Sequence, residues 1–214
     1  KQIIYKNALL KIYDMPVLYF PKFFHPDPSV ERQSGFLQPQ LNNSNILGSS
    51  FRLPYFHVLA ENKDLTFTPI IFDKDIYMFQ NEYRQENKNS SLIADLGFAK
   101  GYKSVVTDNK KKNIGHLFAK FSLDLDWESF IKSDLKISLE NVTNDTYLKI
   151  FETNLTNISP KIMPKNKGQL TSNLKLNLDH EKYSFDTGIT AYESLSGTDS
   201  DRYQYVLPYY TFSK

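Results

Sequence analysis

The sequence predicts an all-β fold built from antiparallel strands, and three observations carry the prediction. Apolar and polar residues alternate in many runs of roughly eight to eleven residues, the period of a strand with one apolar face. Tyr and Phe contribute 14 and 16 of the 214 residues, and aromatic side chains suit the pleated, half-buried surface of a sheet. Helical spacing is weak throughout.

From the N terminus, short strands are expected over Gln2–Tyr5 and Ala8–Tyr13, followed by an aromatic, proline-rich run from Met15 to Pro28. Pro16, Pro21, Pro26 and Pro28 block helix and interrupt ladder hydrogen bonds, which predicts an edge strand or an ordered connector. The texture changes near Glu31 to Ser34, so a boundary is expected between residues 1–33 and 34–214.

After that boundary, strands are expected over Gly35–Leu41, Phe51–Leu59, Asp64–Ile71, Ile76–Gln85, Ser91–Gly101 and His116–Asp126. Further strands surround Leu135–Leu139 and Leu174–Leu178, and two more run over Tyr183–Glu193 and Tyr203–Phe212, about ten in all. In these runs Leu92, Leu96, Leu117, Phe121, Leu123, Leu135, Ile137, Leu174 and Leu176 fall on one face. Asp95, Lys120, Asp124, Lys136, Lys175 and Asp186 fall on the other. The connections at Ala60–Lys63, Glu86–Ser90 and His180–Lys182 are short, whereas Tyr102–Gly115 and Asn141–Gly168 read as long loops. Short turns at one end and long loops at the other are the habit of outer-membrane barrels, and nine to eleven tilted residues span the roughly 25 Å apolar band. A soluble β-sandwich also alternates, and pattern alone leaves both architectures open.

Other classes find little support. Lys and Arg number 26 against 24 Asp and Glu, a net charge of +2, so no nucleic-acid partner is expected. The chain has no Cys, and His25, His57, His116 and His180 are scattered without ligand spacing, so they are expected on a surface or a wet lumen. No nucleophile elbow, phosphate loop or dinucleotide fingerprint occurs, and neither enzymatic activity nor a cofactor is expected. No apolar run approaches the roughly 20 residues of a spanning helix. The start lacks the plan of a signal peptide and lacks Met, which suggests an internal segment. The run Lys110–Lys112 is expected in a solvated loop, with contact to lipid phosphates as the sharper alternative.

Several motifs then point to a family. Arg32-Gln-Ser-Gly-Phe-Leu-Gln-Pro39, Phe51-Arg-Leu-Pro-Tyr-Phe56, Ala60-Glu-Asn-Lys-Asp-Leu-Thr-Phe-Thr-Pro69 and Asn81-Glu-Tyr-Arg84, in that order and spacing, resemble the LptD family of outer-membrane lipopolysaccharide-assembly proteins. Tyr13-Asp-Met-Pro-Val-Leu-Tyr-Phe-Pro21 resembles the end of that family's periplasmic β-jelly roll, and Asn144-Asp-Thr-Tyr-Leu148 is also similar to it. The close resemblance covers about residues 12–100.

The resemblance implies the end of a β-jelly roll over residues 1–33 and the first antiparallel strands of a transmembrane β-barrel over 34–214, too few to close that barrel. It implies lipopolysaccharide as cargo, an LptA-like periplasmic bridge, an LptE-like plug lipoprotein and outer-membrane lipid as partners. Pro39 and Pro54 match the prolines that weaken that family's barrel seam into a lateral gate, with Phe36–Leu41 expected to pair antiparallel to Phe51–Leu59 across a loop from Asn42 to Ser50. Asp95, Lys120, Asp124, Lys136, Lys175 and Asp186 would then line the lumen. The competing readings are a porin-like channel, a soluble β-sandwich binding module and a barrel lipase.

Overall fold

The structure, a computed structural model, describes residues 2–12, 14–26, 32–73, 75–104, 108–196 and 201–214. It divides into two units, Lys1–Gly35 and Phe36–Lys214.

The first unit is a hairpin of β1 (Gln2–Ile12) and β2 (Met15–Pro26), paired antiparallel. The prolines do not break β2 into a connector, because a two-stranded sheet leaves each strand one edge on which a missing donor costs no ladder bond. They do disturb the pairing. The register slips between Leu10 and Lys11, opposite Pro16, and Asn7, between the paired Lys6 and Ala8, takes a left-handed φ of 55°. The expected separate strands before Met15 are therefore one continuous strand. Tyr13 and Pro28, at the ends of two expected elements, lie outside the described residues.

In the second unit, twelve strand segments form one antiparallel sheet. They are β3 (Gly35–Phe36), β4 (Gln40–Ser44), β5 (Gly48–Arg52), β6 (Tyr55–Ala60), β7 (Lys63–Phe72), β8 (Tyr77–Glu86) and β9 (Ser90–Ser104). β10 (Asp108–Asp124), β11 (Lys132–Val142), β12 (Gln169–His180), β13 (Tyr183–Ser194) and β14 (Tyr203–Ser213) complete it. From β7 to β14 each strand pairs with the next, an up-and-down meander. β4 pairs with β5 and β3 with β6, so these four segments are two interrupted strands.

Two expected loops are folded. The stretch Tyr102–Gly115 is mostly strand: β9 runs on to Ser104, β10 starts at Asp108, and Lys111 pairs with Lys103. Lys110–Lys112 therefore lie in a strand and not a loop, because backbone pairing continues where apolar alternation has stopped. The expected Asn42–Ser50 loop shrinks to a turn at residues 45–47, where Ser44 Oγ accepts from the Ile46 and Leu47 amides and Gly48 takes φ 77°.

The strand pleat sorts side chains onto two faces. One face carries Phe67, Ile71, Phe79, Leu96, Phe98, Ile137, Leu139, Leu174 and Ile189, all exposed. Leu117, Phe121, Leu123, Leu135 and Leu176 share this face at intermediate exposure. The opposite face mixes polar groups with Ile70, Phe72, Met78, Ala99, Ile114 and Phe118, which are buried. They are covered by residues 143–168, a segment containing α1 (Tyr147–Ile150) and a 3-10 turn (Leu155–Asn157). Tyr147, Leu148, Phe151 and Leu155 of this strap complete the core, and each such side chain contributes about 1.5–3 kcal/mol on burial. No helix among the described residues is long and apolar enough to cross a membrane, which says nothing about strands.

Candidate functional site

The interrupted strands at the start of the sheet form the first part of the site. Three residues, 37–39, separate β3 from β4, whereas two, 53–54, separate β5 from β6, so the opposed gaps do not match and the ladder lapses there. Pro39 lies in one gap and Pro54 in the other.

Backbone direction fixes what each proline removes. The Asp73 amide donates to the Ser49 carbonyl at 3.0 Å and the Leu53 amide to the Pro69 carbonyl at 3.3 Å, so odd-numbered groups of this strand aim at β7. Even-numbered groups aim back at β4, where Arg52, Ser50 and Gly48 face Gln40, Asn42 and Ser44. Leu41 and Asn43 are thus left pointing to the open edge of the sheet. Pro54 accepts from the Leu37 amide at 2.8 Å but has no N–H to return. Pro69 likewise accepts from Leu53 and returns nothing. Three neighbouring positions across the first strands therefore each lack one donor. Pro69 was missed as a seam residue because its motif reads as a strand, and only the register places it beside Leu53.

Beneath this seam on the polar face is a cavity of about 500 Å³, lined by Leu37, Gln40, Pro54, Phe56, Gln80, Glu82, Arg84, Asp95 and Asn157 among others. Arg84 Nε donates to Asp64 Oδ1 at 2.8 Å, and Asn157, from the strap, donates to Gln40 Oε1 at 3.1 Å. Asn154 of the strap donates to Ser50 Oγ at 3.2 Å and accepts from the buried Arg52 guanidinium through its carbonyl. The Ser159 amide donates to Glu82 Oε2 at 3.3 Å. The strap is thus tied to β4, β5 and β8 by polar bonds.

Its root is fixed by a buried relay. Asp95 and His116 are fully buried; His116 Nε2 lies 2.6 Å from Asp95 Oδ1, and Nδ1 lies 2.7 Å from Tyr147 Oη. Gln80 also donates to both Asp95 oxygens. Burial, with the Asp95 carboxylate nearby, pushes the ionisation of Tyr147 far above the ordinary tyrosine range. The phenol stays protonated, and the two ring nitrogens of His116 are held between it and the Asp95 carboxylate. Gly97 makes room for this: a Cβ there would lie 2.3 Å from the His116 ring. At the base of the strap, Arg202 joins Asp145 and Glu193, both at 2.7 Å.

Asp95, Lys120, Asp124, Lys136, Lys175 and Asp186 all lie on the polar face, as the cross-strand pairs Lys136↔Lys175, Asp124↔Asp134 and Asn177↔Asp186 require. They are not one cluster. Asp95 is sealed under the strap and His116 with it, contrary to the expectation of a surface or wet-lumen histidine, whereas Lys120, Asp124 and Lys175 are exposed. The strap was missed because its apolar residues fit neither strand nor long-helix period. The run Tyr147-Leu148, Ile150-Phe151, Leu155 and Ile158 was the available signal of a packed segment. No group of three or more metal-ligating side chains occurs among the described residues.

At the rim with the short turns, Trp127, Phe130, His180, Tyr183 and Phe212 form a continuous set of ring contacts, with centroids 4.5–6.3 Å apart. Such amphipathic rings gather where apolar and aqueous surroundings meet.

No protein-family profile matches the chain. LPS-assembly protein LptD of Legionella pneumophila (strain Lens) is 29% identical over 166 residues, which cover 74% of this chain and 20% of that protein. The protein of the same name from Idiomarina loihiensis is 30% identical over 139 residues, covering 65% and 18%. That of Pseudomonas entomophila (strain L48) is 24% identical over 209 residues, covering 97% and 21%. The chain spans about a fifth of the length of these curated relatives.

Proposed function

We propose that this chain, which is similar to LPS-assembly proteins LptD over most of its length, forms part of an outer-membrane barrel wall that assembles lipopolysaccharide into the membrane. The observation that carries this reading is the two-faced sheet. Its apolar face is exposed, with Leu96 at 52% and Ile71 at 51%, while the polar face holds the strap and its hydrogen bonds. A sheet in water would bury the apolar face, whereas one in lipid turns it outward.

In this reading residues 34–214 are the first strands of the barrel, and residues 1–33 are the end of a periplasmic jelly roll, here the β1–β2 hairpin. Pro39 and Pro54 form the lateral gate, supported by their place in the two opposed gaps where the ladder lapses and by the donor that Pro54 lacks opposite Leu37. The lipid anchor leaves through that seam while the sugars cross a lumen lined by Lys120, Asp124, Lys136, Lys175 and Asp186. The partners are lipopolysaccharide, an LptA-like bridge delivering it, an LptE-like plug and the surrounding outer-membrane lipid. The chemistry is transfer, with no covalent step.

The test is photo-crosslinking in the whole protein in cells. A crosslinker at Gln38 or Leu41, beside the seam, should capture lipopolysaccharide, whereas one at Ile189, on the apolar face far along the sheet, should not. Equal capture at all three positions would leave the seam without a special role.

A further inference from the structure

A second cavity lies between the wall and the C-terminal half of the strap, with a volume of about 460 Å³. Five lysines line it: Lys120, Lys136 and Lys175 from the wall strands β10, β11 and β12, and Lys161 and Lys165 from the strap. The sole carboxylate in the lining is Glu140, whose Oε2 already accepts from the Thr171 amide at 2.8 Å. Lys136 is paired with Asp134 at 2.8 Å; among the described residues Lys120, Lys161, Lys165 and Lys175 form no ion pair.

This charge is local. The whole chain carries a net +2, so five lysines facing one glutamate exceed the balance of the entire molecule in a single concavity. Like charges converging on one cavity repel, and an anionic occupant relieves that repulsion. The remaining polar lining, Ser138, Asn166, Gln169, Thr171 and Asn173, offers hydroxyl and amide groups that can both donate and accept. That combination suits a hydroxyl-rich ligand carrying phosphate. Ammonium groups act as movable point charges on phosphate oxygens, and the neutral side chains hydrogen-bond to ring hydroxyls. The volume falls within the usual range for small-molecule sites.

We propose that this cavity is a binding site for a phosphorylated saccharide, with Lys161 and Lys165 closing it from the strap side. The source of that ligand, the phosphorylated headgroup of a transported glycolipid, rests on the transport reading; the binding itself does not. Because the strap supplies two of the five lysines, an occupant also bridges the strap to the wall.

The experiment is a calorimetric titration of the whole protein in detergent with glucose 6-phosphate, glucose and inorganic phosphate, at low and high salt. Glucose 6-phosphate should bind more tightly than inorganic phosphate, glucose should not bind, and salt should weaken the binding by screening. Lys161→Ala/Lys165→Ala, on the strap and outside the sheet, should weaken it about two- to thirtyfold. Inorganic phosphate binding as well as the sugar phosphate would overturn the saccharide assignment. Unchanged binding in the double variant, or no binding of any probe to the wild-type protein, would overturn the site. Crosslinking from Met163, which lines the same cavity, to intact but not to dephosphorylated lipopolysaccharide would establish the glycolipid as the source. Equal capture of both would overturn the role of phosphate. Sugar phosphate binding that persists while the seam crosslinks of the preceding section fail would separate this site from the transport reading.

Discussion

The double substitution Pro54→Ala/Pro69→Ala supplies two N–H groups at positions where the acceptors already wait. The new amide at position 54 would return a bond to the carbonyl of Leu37, whose own amide already donates to the carbonyl at that position at 2.8 Å. The new amide at position 69 would do the same for Leu53, whose amide donates to the carbonyl there at 3.3 Å. A net backbone hydrogen bond contributes about 0.5–1.5 kcal/mol, so each substitution should stabilise its own ladder by that amount. That makes opening of each ladder about two- to twelvefold rarer. Losing each proline also frees the unfolded chain, by about 0.4–1 kcal/mol per site, which pulls global stability the other way. Thermal melting would mix the two effects, and the informative assay is hydrogen exchange at the Leu37 and Leu53 amides. Both should slow by the factor above while amides along β12 and β13 keep their rates. Unchanged exchange at Leu37 and Leu53 in a folded double variant would refute the claim that missing donors weaken these ladders.

Three further outcomes are expected. Gly97→Ala forces a methyl into a His116 ring held at both nitrogens, so it should cost about 1–3 kcal/mol in unfolding titrations, as overpacking does; a neutral effect would mean the relay yields easily. Tyr147 is held neutral in the fold, so its contribution is complete below the ordinary tyrosine value of 10.0 and falls by about 1.4 kcal/mol per pH unit above it as the unfolded chain ionises. Tyr147→Phe should abolish that part of the alkaline slope, and an identical slope in both proteins would contradict it. Leu174→Lys, on the exposed apolar face, should cost about 2–4 kcal/mol in bilayers if near the midplane, and Asn173→Lys, its neighbour on the polar face, far less. Urea titration of bilayer-inserted protein compares the two.

The strands were legible because alternation at period two is imposed by the pleat itself: the sequence alone assigns Leu117, Leu135 and Leu174 to one face. The ends were harder to read. The Lys110–Lys112 segment carries no apolar alternation, yet it is held by backbone bonds to β9 that no side-chain pattern reports. The prolines at 39 and 54 were legible through their motifs, but the direction of each missing donor depends on register, and with it the part played by Pro69. The strap was illegible for a different reason. Its packing onto Phe72 and His116 joins residues far apart in sequence, with Phe151 and Phe72 rings at 6.1 Å, and such contacts leave no periodic trace. The same distance hid the basic cavity, since Lys161 and Lys165 meet Lys120, Lys136 and Lys175 only when the strap folds back.

The central claim is that the apolar face meets lipid and the polar face meets water. Nitroxide labels placed singly at Leu117, Leu135 and Leu174, and at Lys120, Lys136 and Lys175, test it directly in the whole protein in bilayers, freed of other cysteines; this chain has none of its own. The first three should relax with oxygen, which concentrates in the bilayer core, and the second three with a water-soluble nickel complex, so the signal alternates along each strand. Equal accessibility of all six labels to the nickel complex would contradict the account, because the sheet would then be surrounded by water on both faces.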